Sequence, residues 1–356
     1  MAAHGSATAP GDTASPAPVL DAPSGRPDVG PAVPAGGRSS NGTPVELSAG
    51  RYRALLSPVG AALLGLWFDD RPLTLPADPA VIPDGYSGKV LMPWPNRIAG
   101  ARYRFAGQEY QLPVNEPETG SALHGLVLWQ EWAQDPAPAT PAPSLDVGTG
   151  TDSAAGTESA AGTAVVFRLR FAGEPGYPFP LDLEVGYRLH PETGLAVEMR
   201  AVNAGTGPAP YGVSIHPYLT AGGADLDRCR LTLPAAQVLD GGGLRPVDGP
   251  RFDYRESGPA ARPLDGTRLD HAFTGLPAAV WQVRLQDPQE DFGVLLEADG
   301  ADGARWVQVY TGERLGRAGL AVEPMSCPAD AFNSGTDLAV LAPGEEHRFH
   351  CRIAAA

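Results

Sequence analysis

The sequence predicts an all-β fold, a large antiparallel sandwich, and three observations carry the prediction. Apolar and polar residues alternate with period two through most of the patterned segments. No window of ordinary helix length shows a 3.6-residue periodicity with caps of its own. Turn-forming residues punctuate the chain at short intervals, as they do where many strands follow one another.

Glycine and proline supply 44 and 38 of the 356 residues, enough to suggest low-complexity sequence if they were evenly spread. They are concentrated instead. Residues 1–43 carry no aromatic side chain and too little apolar surface to offset the entropy of ordering, so a disordered tail is expected there. A second stretch, 135–163, interrupts patterned sequence on both sides and reads as a disordered surface-loop insertion. The expected domain is therefore 44–355 with that insertion inside it.

Within the domain each strand reading has its own reason. Tyr103 to Tyr110 is a hairpin signal, with Gly107 free to take the positive φ of a tight turn. Val165, Phe167, Leu169 and Phe171 alternate with polar neighbours. Leu181, Leu183, Val185, Tyr187 and Leu189 do the same, and Pro191-Glu-Thr-Gly194 turns the chain into Leu195, Val197 and Met199, a hairpin with one buried face. Trp281, Val283 and Leu285 make a further strand, as do Phe349, Cys351 and Ile353, which puts Cys351 in the core and His350 in solvent.

Charge and composition exclude several function classes. There are 26 basic against 41 acidic side chains, a net charge of −15, and Lys89 is the one lysine, so no basic surface exists to track a nucleic-acid backbone or anionic lipid. Gly88-Lys89-Val90 lacks the Ser or Thr that a P-loop places on magnesium. Cys229, Cys327 and Cys351 are far apart and odd in number, which fits neither a disulfide framework nor zinc-ligand pairs. No apolar run reaches the roughly 18 residues of a membrane span, and the first twenty residues lack a basic start and an apolar core. These features lead us to expect a cytoplasmic protein, monomer or homodimer, with neither nucleic acid nor membrane as partner.

Metal and nucleophile templates are missing: the sequence has no CxxC, HExxH or G-x-S-x-G. Of seven histidines, His4 lies in the tail and His190, His347 and His350 at strand ends or on polar faces, leaving His124, His216 and His271. His216 stands where a strand-like run meets Pro217, a position from which a titratable ring can face a cleft or be hydrogen-bonded in place. His124 follows a polar loop, and Gly125 beside it permits close backbone approach. Glu323 is a carboxylate inside an apolar run, where burial would raise its pKa toward the range of a general base. Trp94 precedes the Asn96-Arg97 pair and fits a ligand-facing indole and a packed core indole equally well.

Read together, several segments resemble the aldose 1-epimerase (galactose mutarotase) family, from about Val45 to Ile353. They are Pro95-Asn96-Arg97-Ile98-Ala99-Gly100 with the hairpin after it, Leu123-His124-Gly125, and Ser214-Ile215-His216-Pro217-Tyr218. Leu269-Asp270, Val307-Gln308-Val309-Tyr310-Thr311-Gly312, Val322-Glu323-Pro324 and a closing Leu341-Ala-Pro-Gly-Glu345 follow in family order. The resemblance implies a supersandwich with a concave sugar cleft, no cofactor and no metal. It implies that His216 donates a proton to the pyranose ring oxygen while Glu323 takes the proton of the anomeric hydroxyl. Asn96, Arg97, His124, Tyr218, Asp270 and Gln308 are then the residues that hold the monosaccharide substrate. His271, next to Asp270, departs from the family pattern and reads as a rim or structural residue. The alternatives are a hexose-6-phosphate 1-epimerase, for which Arg51, Arg53, Arg71 and Arg102 are the cations available by type, and a sugar-binding module without catalysis. A glycoside hydrolase using Asp270 with Glu323 is a third.

Overall fold

Residues 39–136, 163–255 and 263–356 are described by the computed structural model, and strands dominate them. The alternation at Leu181 becomes a ten-residue strand, Leu181–His190, in which each odd-numbered residue is buried and each even-numbered one partly exposed. Its partner Gly194–Asn203 pairs in register from Leu189 opposite Leu195 to Leu181 opposite Asn203. Around this hairpin grows an antiparallel eight-stranded sheet, in the order Ala133–Pro136, Thr163–Phe171, Leu181–His190, Gly194–Asn203, Glu346–Ala355, Phe292–Asp299, Val280–Asp287, Arg230–Thr232. Helix is confined to short turns among the described residues, the longest being Gly249–Phe252 and Ala331–Ser334 with four residues each.

A second sheet, also eight-stranded and antiparallel, carries the segments that matter for chemistry. Its order is Gly243–Pro246, Gln237–Asp240, Asp270–Thr274, Trp306–Tyr310, Leu320–Met325, Ser214–Ile215, Val90–Leu91, with Tyr218–Leu219 pairing on Leu320–Met325 as well. One face of this sheet joins the other sheet in a continuous apolar core: Ile215, Phe273, Val307, Val309 and Val322 belong to the same cluster as Val185, Met199, Leu296 and Phe349. Each such fully buried side chain stabilises the fold by roughly 1.5–3 kcal/mol. Because side chains alternate along a strand, burying Val307, Val309 and Val322 turns Gln308 and Glu323 to the opposite face. That face has a small apolar floor of its own, Ala272, Trp306 and Met325.

Several sequence expectations change at their edges. The insertion placed at 135–163 is shorter, since Asp135 and Pro136 pair with Val166 and Val165, and Thr163 pairs with Leu189; the stretch 137–162 lies outside the described residues. The tail expected to run to residue 43 is described from Ser39. Asn41 is buried and its amide donates to the carbonyls of Pro79 and Val81 at 3.0 and 2.7 Å. Polar anchoring of this kind leaves no apolar pattern to read. Residues 1–38 lie outside the description. His350 is not in solvent: its side chain is 11% exposed and sits 3.1 Å from Asp302 and 3.7 Å from Glu198. Glu198, its register partner, and Asp302, in the turn after the neighbouring strand, cover it, which alternation alone does not foretell. Cys351 is buried as expected.

Candidate active site

The central geometric fact is strand register. Ser214 lies opposite Met325 and Tyr218 opposite Ala321, so His216 and Glu323 face one another at the gap between these pairings. Pro217 makes the gap, because it has no N–H to donate and holds His216 extended; its carbonyl accepts from the Val322 N–H at 3.1 Å. His216 Nε2 meets Glu323 Oε1 at 3.2 Å, with the two side chains 5% and 2% exposed. Nδ1 of His216 and Oε2 of Glu323 are buried and have no partner among the described residues.

The neighbours follow from the same sheet. Gln308 is the register partner of Glu323, and its amide donates to Asp270 on the next strand at 2.6 Å. Asn96 and His124 come from the loop edge and lock each other: the Asn96 N–H donates to His124 Nδ1 at 3.2 Å, and the His124 N–H donates to the Asn96 carbonyl at 2.8 Å. With Nδ1 accepting, neutral His124 carries its proton on Nε2 and offers a donor. The His124 and His216 rings meet edge to face at 5.2 Å. Gly125 allows this approach as the sequence suggested: at φ +78 a Cβ there would stand 2.0 Å from the Met92 carbonyl oxygen.

The model of the aldose 1-epimerase family matches residues 44–354. The chain belongs to that family. It is similar to the uncharacterized protein YihR of Escherichia coli (strain K12), 39% identical over 319 residues that cover 88% of this chain and 93% of that protein. The uncharacterized protein YphB of the same organism is 25% identical over 309 residues, 84% of this chain and 94% of its own length. In fold the chain matches the GalM/aldose epimerase homologue from C. elegans, with a TM-score of 0.70 at 19% identity and coverage of 88% and 98%. The galactose 1-epimerase from Lactobacillus acidophilus NCFM gives 0.68 at 17% identity, covering 88% and 94%.

In this epimerase-family chain burial sets the electrostatics. It pushes the His216 imidazole down to about 4 and the Glu323 carboxyl well above the ordinary carboxylate range, the latter helped by Asp270 and opposed by Arg97. His124 is held well below the usual imidazole value by burial first, then by His216 and Arg97. Each of His124, His216 and Glu323 also offers one metal-ligand atom, all within 4.8 Å of one another. A divalent cation would compete for the lone pairs of these three side chains.

Not every expected sugar ligand is free. Arg97 is gripped by Glu116, to which Nε and a terminal nitrogen donate at 2.6 and 2.7 Å, so one guanidinium edge is committed. Glu116 was missed by sequence reading because it stands in an unpatterned loop. Tyr218 is buried, stacks on His216 at 5.1 Å and donates its hydroxyl to the Gly85 carbonyl, which makes it a support for the imidazole. His271 Nδ1 accepts from the Asp270 N–H at 3.0 Å, a structural part. Trp94 is core, packed edge-on against Phe332. The arginines considered for a phosphate are engaged elsewhere: Arg51 with Asp69, Arg53 over Trp67, Arg71 over Phe292 and Arg102 with Gln111.

Proposed function

We propose that the protein is an aldose 1-epimerase that interconverts the α and β anomers of an aldohexose, with His216 as acid and Glu323 as base. The observation that carries this reading is the buried contact between that imidazole and that carboxyl, each keeping a second polar atom without a protein partner. Protonated His216 gives its proton to the ring oxygen as the C1–O5 bond breaks, and ionised Glu323 takes the proton of the anomeric hydroxyl as C1 becomes a carbonyl. The products of this half-reaction are the open-chain aldehyde, a neutral imidazole and a protonated carboxyl. Rotation about C1–C2 presents the other carbonyl face; O5 then attacks C1, returns its proton to His216, and O1 regains a proton from Glu323.

Burial opposes the charged starting form of the pair and favours the neutral form that ring opening leaves, because water-free surroundings disfavour charge separation. Each positioned transfer contributes about 10²–10⁴-fold. His124 Nε2–H, the free edge of Arg97, Asn96, Asp270 and Gln308 supply donors and acceptors for the hydroxyls.

The test is anomer exchange, followed by NMR and by polarimetry, on glucose, galactose and glucose 6-phosphate. Acceleration of α–β interconversion is the expected result. A non-catalytic module would broaden sugar signals without accelerating exchange, and that outcome would overturn the proposal.

A further inference from the structure

Beyond His124 stand two aromatic side chains that the acid–base reading does not use. Tyr86, half-buried, meets the His124 ring edge to face at 5.0 Å, and Trp129 stands 6.3 Å from Tyr86. Trp129 is 49% exposed, a high value for so large an apolar side chain. It is nevertheless held: the ammonium of Lys89, a fully buried lysine whose Nζ donates to the Val59 carbonyl at 2.8 Å, lies 4.9 Å from the ring centroid. The Tyr86 loop is fastened as well, by Tyr218 to the Gly85 carbonyl and by Arg314 to Asp84 at 2.8 Å. Lys89 ties this wall to the acid through its backbone, donating to the Tyr86 carbonyl and accepting from the His216 N–H, each at 3.0 Å.

We infer that Tyr86 and Trp129 form the subsite for the substituent on C5 of the sugar and make the enzyme favour aldohexoses over aldopentoses. The inference rests on the acid–base assignment above and extends it through the order of groups across the sheet. That order runs Asp270, Gln308, Glu323, His216, then the Lys89 segment and Tyr86. In an aldopyranose C1 has two ring neighbours, C2 and O5. With the anomeric hydroxyl at Glu323 and O5 at His216, the C2 hydroxyl falls toward Gln308 and Asp270. C5 and its exocyclic carbon fall past His216, toward Tyr86 and Trp129. A polar pair thus meets the hydroxyl-bearing edge, and an aromatic pair meets the C–H-rich edge, the part of a sugar that aromatic faces bind.

Glucose and xylose differ only in the C5 substituent and separate the possibilities. In Trp129→Ala, kcat/KM for glucose is expected to fall about tenfold, the size of a lost 1.4 kcal/mol contact, while that for xylose stays within about twofold. Trp129→Phe keeps a ring face and should restore most of the glucose value. Trp129 is exposed, so the thermal midpoint of both variants should match the parent and exclude misfolding as the cause. An unchanged glucose-to-xylose ratio, or an equal loss on both sugars, would overturn the subsite assignment while leaving the epimerase reading intact. Failure of the parent protein to interconvert any aldose would instead remove the reading on which this inference rests.

Discussion

At the scale of single residues the pair His216 and Glu323 behaves as one titrating unit, because groups 3.2 Å apart share their protons. In the proposed mechanism the active form carries one proton on the pair. Acid adds a second when His216 is protonated beside a carboxyl that already holds one, near its depressed value of about 4, and the base is lost. Alkali removes the shared proton, which the raised Glu323 carboxyl retains well above the carboxylate range, and the acid is lost. The kcat/KM profile of the free enzyme should therefore be a bell with its acid limb near about 4 and a plateau through neutrality. An alkaline fall centred at the free-imidazole value of about 6.5 would contradict this assignment. His216→Asn and Glu323→Gln should each lose about 10²–10⁴ in kcat, and the double variant less than the product, since acid and base act in one exchange. Retention of more than a tenth of kcat by a folded Glu323→Gln variant would remove it as base. Glu116→Gln loosens the grip on Arg97 and is expected to raise KM several-fold with a smaller change in kcat, read from saturation curves.

At the scale of elements, position in the strand register decides which side chains meet. The segment bearing His124 can approach the Met92 segment only because residue 125 lacks a Cβ. Gly125→Ala should thus combine left-handed strain with a backbone clash, costing more than about 2 kcal/mol and most of the activity. Gly107→Ala is the control: its φ is +80, but a Cβ there meets nothing within 4 Å. It should cost about 1 kcal/mol and leave kcat unchanged, the difference being measured by denaturant unfolding beside activity. The strands of the long hairpin were legible in sequence because alternation is strict there. Glu116, Tyr86 and Trp129 were not, because each stands in a loop without period, where partners come from distant parts of the chain.

For the whole molecule, no described helix is long and apolar enough to cross a membrane. The proline- and alanine-rich stretches supply none of the site residues. Removing 1–38 and shortening 137–162 should leave the thermal midpoint and kcat nearly unchanged, and loss of most activity in a folded deletion variant would show that they contribute. The convergence of His124, His216 and Glu323 predicts a further behaviour: added zinc should inhibit by occupying their lone pairs, and a chelator should relieve that inhibition. Chelator alone should leave mutarotation intact, because the proposed transfers use only side-chain protons. Chelator inactivation reversed by a divalent ion would count against that mechanism.

Local alternation made the all-β class, the long hairpin with its buried face and the placement of Cys351 in the core legible in the sequence, while the proposed site set Asn96, Arg97, His124, His216, Tyr218, Asp270, Gln308 and Glu323 came from the resemblance to the epimerase family. Tertiary structure alone brings His216 against Glu323, puts Glu116 on one edge of Arg97, stacks Tyr218 on the imidazole and places Tyr86 and Trp129 beyond His124. The physical reason is that these contacts join residues tens to hundreds of positions apart. They depend on strand register and on the alternation of side chains between two faces, neither of which any single segment encodes.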